Sequence, residues 1–137
     1  IRVFNIKDQF YGRLEKLTAN ITARTSCKVT LHDLFDERAL YDSIETSDIL
    51  TNGTSVGMAP NTDACLIKNT DVFRKELIVS DVIYNPEQTK LLKLASEKGC
   101  PTFNGLYMLL YQGAAAFKIW TGQDMPVDII KEKYFTR

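Results

Sequence analysis

The sequence predicts an α/β fold, a Rossmann-like parallel sheet with helices on both faces. Three observations point there. Short β-branched runs alternate with stretches whose apolar residues recur at helical spacing. The most strand-like run, ELIVSDVIY (Glu76 to Tyr84), is nearly continuously apolar, as a parallel strand covered on both faces should be. The segments that follow the strands are rich in glycine, asparagine and proline, which break regular structure.

The elements follow in order. Arg2 to Phe4 read as a strand. Phe10, Leu14, Leu17 and Ile21 recur at steps of four, three and four, one face of a helix. Cys27 to Leu31 alternate as a second strand. Asp36 can cap a helix bearing Leu40 and Ile44, with Glu37 in the first turn where the helix dipole favours an acid. DILTN (Asp48 to Asn52) is a brief strand running into the glycine-rich GTSVGMAP. After Glu76 to Tyr84, Asn85 and Pro86 interrupt. Leu91, Leu92, Leu94 and Ala95 form the next helix, and Gly99 stands where a left-handed cap belongs. CPTF (Cys100 to Phe103) is another strand. Leu106 to Trp120 form a long helix, apolar on more than one side, ended by Gly122, and Pro126 opens a last helix through Tyr134. No repeat, low-complexity tract or linker divides residues 1–137, so one domain is expected.

The bulk numbers exclude several classes. The 137 residues carry 17 basic and 17 acidic side chains, a net charge of zero, so no electrostatic footprint for nucleic acid or an anionic membrane exists. The sequence has no apolar run long enough for a membrane span and no signal-peptide pattern. Cys27, Cys65 and Cys100 are far apart and odd in number, and the lone His32 has no partner at ligand spacing. No zinc site is expected, and a reducing, cytoplasmic setting is the simplest reading.

In open parallel sheets, ligands bind outside the carboxyl ends of the strands. That rule selects four stretches: NIKD (Asn5 to Asp8), TNGTSVGM (Thr51 to Met58), VIYNP (Val82 to Pro86) and NGLYMLLYQG (Asn104 to Gly113). Asp8 can accept two hydrogen bonds from a ribose diol, worth about 1.5–3 kcal/mol each, or it can cap the helix that follows. A 2′-phosphate at that position would be repelled by about 4 kcal/mol at ~4 Å and an effective dielectric near 20. Lys7 offsets part of this, so the site tilts toward NAD while leaving NADP open. Gly53 and Gly57 let backbone approach a ligand, and Thr54 and Ser55 offer hydroxyls; a tight turn would use the same residues. Tyr84 places a phenol at the end of the central strand. Gln112 sits in an apolar helix, where a buried amide needs either a backbone partner or a substrate hydroxyl.

Taken in order, FNIKDQF, DILTNGTSVGM, ELIVSDVIYNP, TKLL, NGLYMLLYQGAAAFKIWTG and MPVD resemble the cofactor-binding domain of the quinate/shikimate dehydrogenase family over essentially the whole chain. The resemblance implies NAD(P)-linked oxidation of a ring hydroxyl of shikimate or quinate, or its reverse. It implies that Asn5, Ile6, Lys7 and Asp8 meet the adenosine ribose, and that Thr54 and Ser55 lie along the cofactor. Val82, Ile83, Tyr84, Asn85 and Gly105 would flank the nicotinamide; Tyr84 would also face the substrate carboxylate, and Gln112 a ring hydroxyl. NADP-specific members carry an arginine after the strand where this chain has Ile6, Lys7 and Asp8, which resembles the NAD-accepting branch. The family's lysine–aspartate catalytic pair, amino-terminal substrate domain and glycine-rich loop have no counterpart in this sequence. The chain therefore reads as a piece beginning at the second strand of the domain, expected to be inactive alone, with a bared sheet edge open to pairing as a homodimer. Two other readings remain: a different Rossmann-type NAD(P) oxidoreductase, or a strand-exchanging interaction module.

Overall fold

The computed structural model describes residues 1–135. The chain forms two compact units, Ile1–Ser47 and the part from Asp48 onward.

The first unit contains strand β1 (Arg2–Asn5), helix α1 (Tyr11–Arg24), strand β2 (Thr30–Asp33) and helix α2 (Glu37–Glu45). The strands pair in parallel, with Arg2 opposite Thr30 and Asn5 opposite Asp33. The second strand lies later than Cys27–Leu31. Thr22 of α1 takes over the backbone of Val29, its hydroxyl accepting from the Val29 N–H at 3.0 Å and donating to its carbonyl at 3.3 Å. Ladder pairing begins only where Thr30 N–H donates to the Ile1 carbonyl at 3.0 Å. The inward face of α1 is also rotated from the expected stripe. Thr18 is buried between half-buried Leu14 and Ile21, whereas Phe10 and Leu17 are exposed. α2 matches expectation: Asp36 accepts from Ala39 N–H at 3.0 Å, and Leu40 and Ile44 are buried.

The second unit contains β3 (Ile49–Asn52), β4 (Ile78–Asp81), α3 (Lys90–Glu97), β5 (Thr102–Phe103), α4 (Leu106–Thr121) and α5 (Val127–Tyr134). The strands form a parallel sheet in the order β3-β4-β5. Strand–helix alternation fails once. Between β3 and β4, residues 53–77 are irregular apart from one 3₁₀ turn at Thr70–Val72. This connection still buries Ile67, Val72, Phe73 and Leu77, which with Val79, Ile83, Leu91, Leu92 and Ala95 make the core. β4 is shorter than Glu76–Tyr84 because both ends are diverted. Leu77 N–H turns back to Arg74, and the Asp81 carboxylate captures Ile83 N–H at 3.0 Å. Gly99 and Gly122 adopt left-handed conformations, φ 86° and 73°, two residues past the end of α3 and one past the end of α4. Among the described residues, no helix is long and apolar enough to cross a membrane.

Candidate functional site

In the first unit the paired carboxyl ends of β1 and β2 bring Asn5 to Asp8 beside Asp33. The Asn5 carbonyl accepts from Leu34 N–H at 2.9 Å. Asp8 Oδ1 accepts from Phe10 N–H at 2.8 Å, a turn that delivers the chain into α1 without capping it; Phe10, the residue before the helix, receives no side-chain cap. Asp8 is exposed, and Oδ2 has no donor among the described residues, so one oxygen is available for a diol. Lys7 points its ammonium at Asp33, with Nζ to Oδ2 3.4 Å. Asp33 escaped the sequence reading, although a carboxylate ending the strand beside β1 was visible in TLHD. Asp33 is thus the carboxylate that pairs with Lys7.

In the second unit the carboxyl ends of β3 and β4 lie side by side, Asn52 opposite Asp81. The loop after β3 turns on Asn52, whose Oδ1 accepts from Thr54 N–H at 3.0 Å and from the Thr54 hydroxyl at 2.7 Å. Thr54 Oγ1 in turn accepts from Val56 N–H at 3.1 Å, so this hydroxyl is largely spent on the loop itself. Ser55 is exposed, and its hydroxyl makes no protein hydrogen bond among the described residues; of the two, it has the freer hydroxyl. Gly57 has φ 96°, and a Cβ there would meet Ala64 and Thr89.

After β4, Val82 N–H donates to the Asn52 carbonyl at 3.1 Å. Ile83 is core, 4% exposed, so only its backbone can border a ligand, whereas Tyr84 and Asn85 are exposed. Gly105 immediately precedes α4, its N–H donating to the Ile83 carbonyl at 2.9 Å. A Cβ on Gly105 would coincide with the Val82 carbonyl oxygen, which explains the glycine by backbone crowding. Val82 to Asn85 and Gly105 are thus brought together, and the Asn52 contacts tie them to the Thr54 loop.

Gln112 is not buried as expected. α4 fully buries only Leu110 and leaves Met108, Tyr111, Ile119 and Trp120 exposed, so helix hydrophobicity gave the wrong burial. The amide is on the open side, with no protein hydrogen bond among the described residues. A groove beside β5, lined by Gln88, Leu92, Phe103, Asn104 and Tyr107 among others, contains none of the expected residues.

Two thiols are perturbed: burial pushes Cys100, and likewise half-buried Cys65, above the ordinary range. Neither adjoins the expected residues in hydrogen bonding; they donate to the carbonyls of Arg74 and Ile67. Among the described residues no three His, Cys, Asp or Glu side chains gather as a metal site.

Comparison with known proteins adds the following. Residues 105–133 match the family described as shikimate 5′-dehydrogenase C-terminal domain. The NADP(+) shikimate dehydrogenase of Listeria monocytogenes serotype 4b is 50% identical over 135 residues, covering 98% of this chain and 46% of that protein. The solved structure of shikimate 5-dehydrogenase from Listeria monocytogenes, in complex with shikimate and NAD, superposes with TM-score 0.89 at 51% identity, covering 96% of this chain and 46% of the other. Quinate dehydrogenase from Corynebacterium glutamicum, in complex with NAD, gives TM-score 0.78 at 28% identity, over 98% of this chain and 45% of the other. The chain thus spans about half the length of the relatives it matches.

Proposed function

This chain belongs to the shikimate dehydrogenase family, and from that premise we propose that it forms the NAD(P)-binding part of a dehydrogenase that interconverts a ring hydroxyl and ketone on shikimate or quinate. The observation that carries the reading is identity at half of all aligned positions, over 98% of the chain, with a shikimate dehydrogenase. The arrangement at the strand ends supports it. Each candidate loop follows a parallel strand at its carboxyl end, where dinucleotide sites form.

The residues present suit a dinucleotide. Asp8 has an open carboxylate oxygen for a ribose diol and Ser55 a hydroxyl for the cofactor's polar spine, while Gly105 lets the start of α4 pack directly on the Val82 and Ile83 backbone that would border the ring. The nicotinamide, when bound, supplies the hydride acceptor or donor. Val82, Tyr84 and Asn85 border its position, Tyr84 faces the substrate carboxylate, and Gln112 presents an unengaged amide to a ring hydroxyl. No residue of this chain is assigned the transfer of the hydroxyl proton, so the chain alone is expected to turn nothing over.

For the cofactor we favour NAD, with NADP accepted. The Lys7–Asp33 pair leaves no uncommitted cation among Asn5 to Asp8 for a 2′-phosphate. The relatives include both an NADP(+) enzyme and complexes with NAD. A cytoplasmic setting, and pairing of two copies through an open sheet edge, complete the reading.

The test is steady-state kinetics of the full-length polypeptide that contains this chain, with shikimate and quinate. Gln112→Ala should raise the KM of the preferred acid about tenfold, the loss of roughly one hydrogen bond, and leave the NAD KM within twofold. Unchanged kinetics for both acids would overturn the substrate assignment.

A further inference from the structure

Asp81 is the one acid in β4, whose sequence is Ile-Val-Ser-Asp, and it is 1% exposed. Its Oδ1 accepts from Ile83 N–H at 3.0 Å and from Asn52 Nδ2 at 3.1 Å, and its Oδ2 accepts from the Thr89 hydroxyl at 2.8 Å. Asn52, 6% exposed, spends its remaining amide hydrogen on the Val56 carbonyl at 3.2 Å and its oxygen on Thr54. Thr89, fully buried, caps α3 by accepting from Leu92 N–H at 3.4 Å. Among the described residues, no buried side-chain nitrogen or oxygen lacks a partner.

Stability alone does not require so polar a construction. A buried charged network is often matched or bettered by apolar side chains of the same volume. The property that apolar packing lacks is direction. A single carboxylate holds the turn after β4 through Ile83 N–H, holds the turn after β3 through Asn52, and holds the start of α3 through Thr89. Those two turns carry Thr54 and Ser55 on one side and Tyr84 and Asn85 on the other.

We propose that Asn52, Asp81 and Thr89 form a positioning unit that locks the loop after β3 to the loop after β4, so that cofactor-side and substrate-side residues keep one mutual geometry. On this proposal the three act through Thr54 and Ile83, to which Asn52 and Asp81 are hydrogen-bonded. The proposal rests on the dehydrogenase reading for its consequence in catalysis and on the hydrogen bonds alone for the coupling.

Two variants separate these. Thr89→Val keeps the volume and removes the donor to Asp81; Thr89→Ser keeps the hydroxyl. Amide hydrogen exchange of this chain is read at Thr54, Val56 and Ile83, with Val79 inside β4 as the reporter of global opening. Thr89→Val should accelerate Thr54 and Val56 about tenfold beyond any change at Val79, although neither touches Thr89 by hydrogen bond, and Thr89→Ser should restore them. Acceleration confined to Leu92 and Ile83, or equal at all amides including Val79, overturns the coupling and leaves Thr89 as a helix cap or core residue.

In the full-length polypeptide, Thr89→Val should raise the KM for both NAD and the acid severalfold while Thr89→Ser leaves both near wild type. An effect on kcat alone would count against positioning. A wild-type protein inert toward shikimate and quinate would sink the dehydrogenase reading while the exchange result still decides the coupling.

Discussion

Replacing Gly105 by alanine adds one methyl group where the fold has no room. The backbone at Gly105, φ −78° and ψ 3°, is open to any residue, so the cost comes from contact and not from dihedral strain. The new Cβ would coincide with the Val82 carbonyl oxygen and lie 3.1 Å from the Ile83 carbonyl carbon. Both are backbone atoms and cannot swing aside. Relief requires the start of α4 to retreat from the end of β4 by about 1 Å or more to regain ordinary contact distance. That retreat stretches the Gly105 N–H to Ile83 carbonyl bond beyond its 2.9 Å. Overpacking costs about 1–3 kcal/mol and a lost backbone hydrogen bond about 1 kcal/mol. The expected total is about 3 kcal/mol, against a whole-domain stability of about 5–15 kcal/mol. In urea, with a slope near 2 kcal/mol per molar, the midpoint should fall by about 1.5 M. Gly113→Ala is the control on the same helix. Nothing lies within 4 Å of its added Cβ, and removing a mid-helix glycine should gain up to about 1 kcal/mol. If Gly105→Ala lost less than about 0.5 kcal/mol, or the two variants moved the same way, the crowding argument would fail.

Two further outcomes follow from the remaining charges and thiols. Asp33→Asn releases Lys7 and removes a negative charge while its amide oxygen still accepts from Phe35 N–H; the NADP-to-NAD ratio of kcat/KM should rise on the order of fivefold, about 1 kcal/mol. An unchanged ratio would show that the Lys7–Asp33 pair has no part in cofactor choice. Burial raises the Cys65 and Cys100 pKa values in the folded state above the unfolded value of about 8.5. The unfolded chain therefore loses these protons first, so their contribution is complete below about pH 8.5 and declines as pH rises through the folded values. Urea midpoints measured at neutral and alkaline pH should fall less for the double variant Cys65→Ala, Cys100→Ala than for wild type, and identical declines would contradict the assignment.

Periodicity made most of the architecture readable. Leu40 and Ile44 after an Asp36 cap, and Leu91, Leu92 and Ala95 before Gly99, each declare a helix with its burial face and its ends. The errors share a cause, which is that side chains redirect backbone. Val29 looks like strand, but Thr22 satisfies its amide and carbonyl from a neighbouring helix. Val82 and Ile83 look like strand, but Asp81 ends the ladder by taking the Ile83 amide. In α4 the apolar content was legible, but which side stays open depends on what packs there, and Gln112 was misread as buried for that reason. The sequence marked the loops as candidates from glycine and proline. It did not mark Asn52, Asp81 and Thr89, whose importance comes from meeting one another across 29 and 8 residues. An acid inside ELIVSDVIY was the available clue.

Trp120 is the chain's single tryptophan, and at the end of α4 it is 81% exposed. An indole in water emits at long wavelength and shifts toward the blue when another surface excludes solvent from it. The molecule thus carries an intrinsic optical gauge of whatever docks along that helix, needing no label and free of competing tryptophan signal.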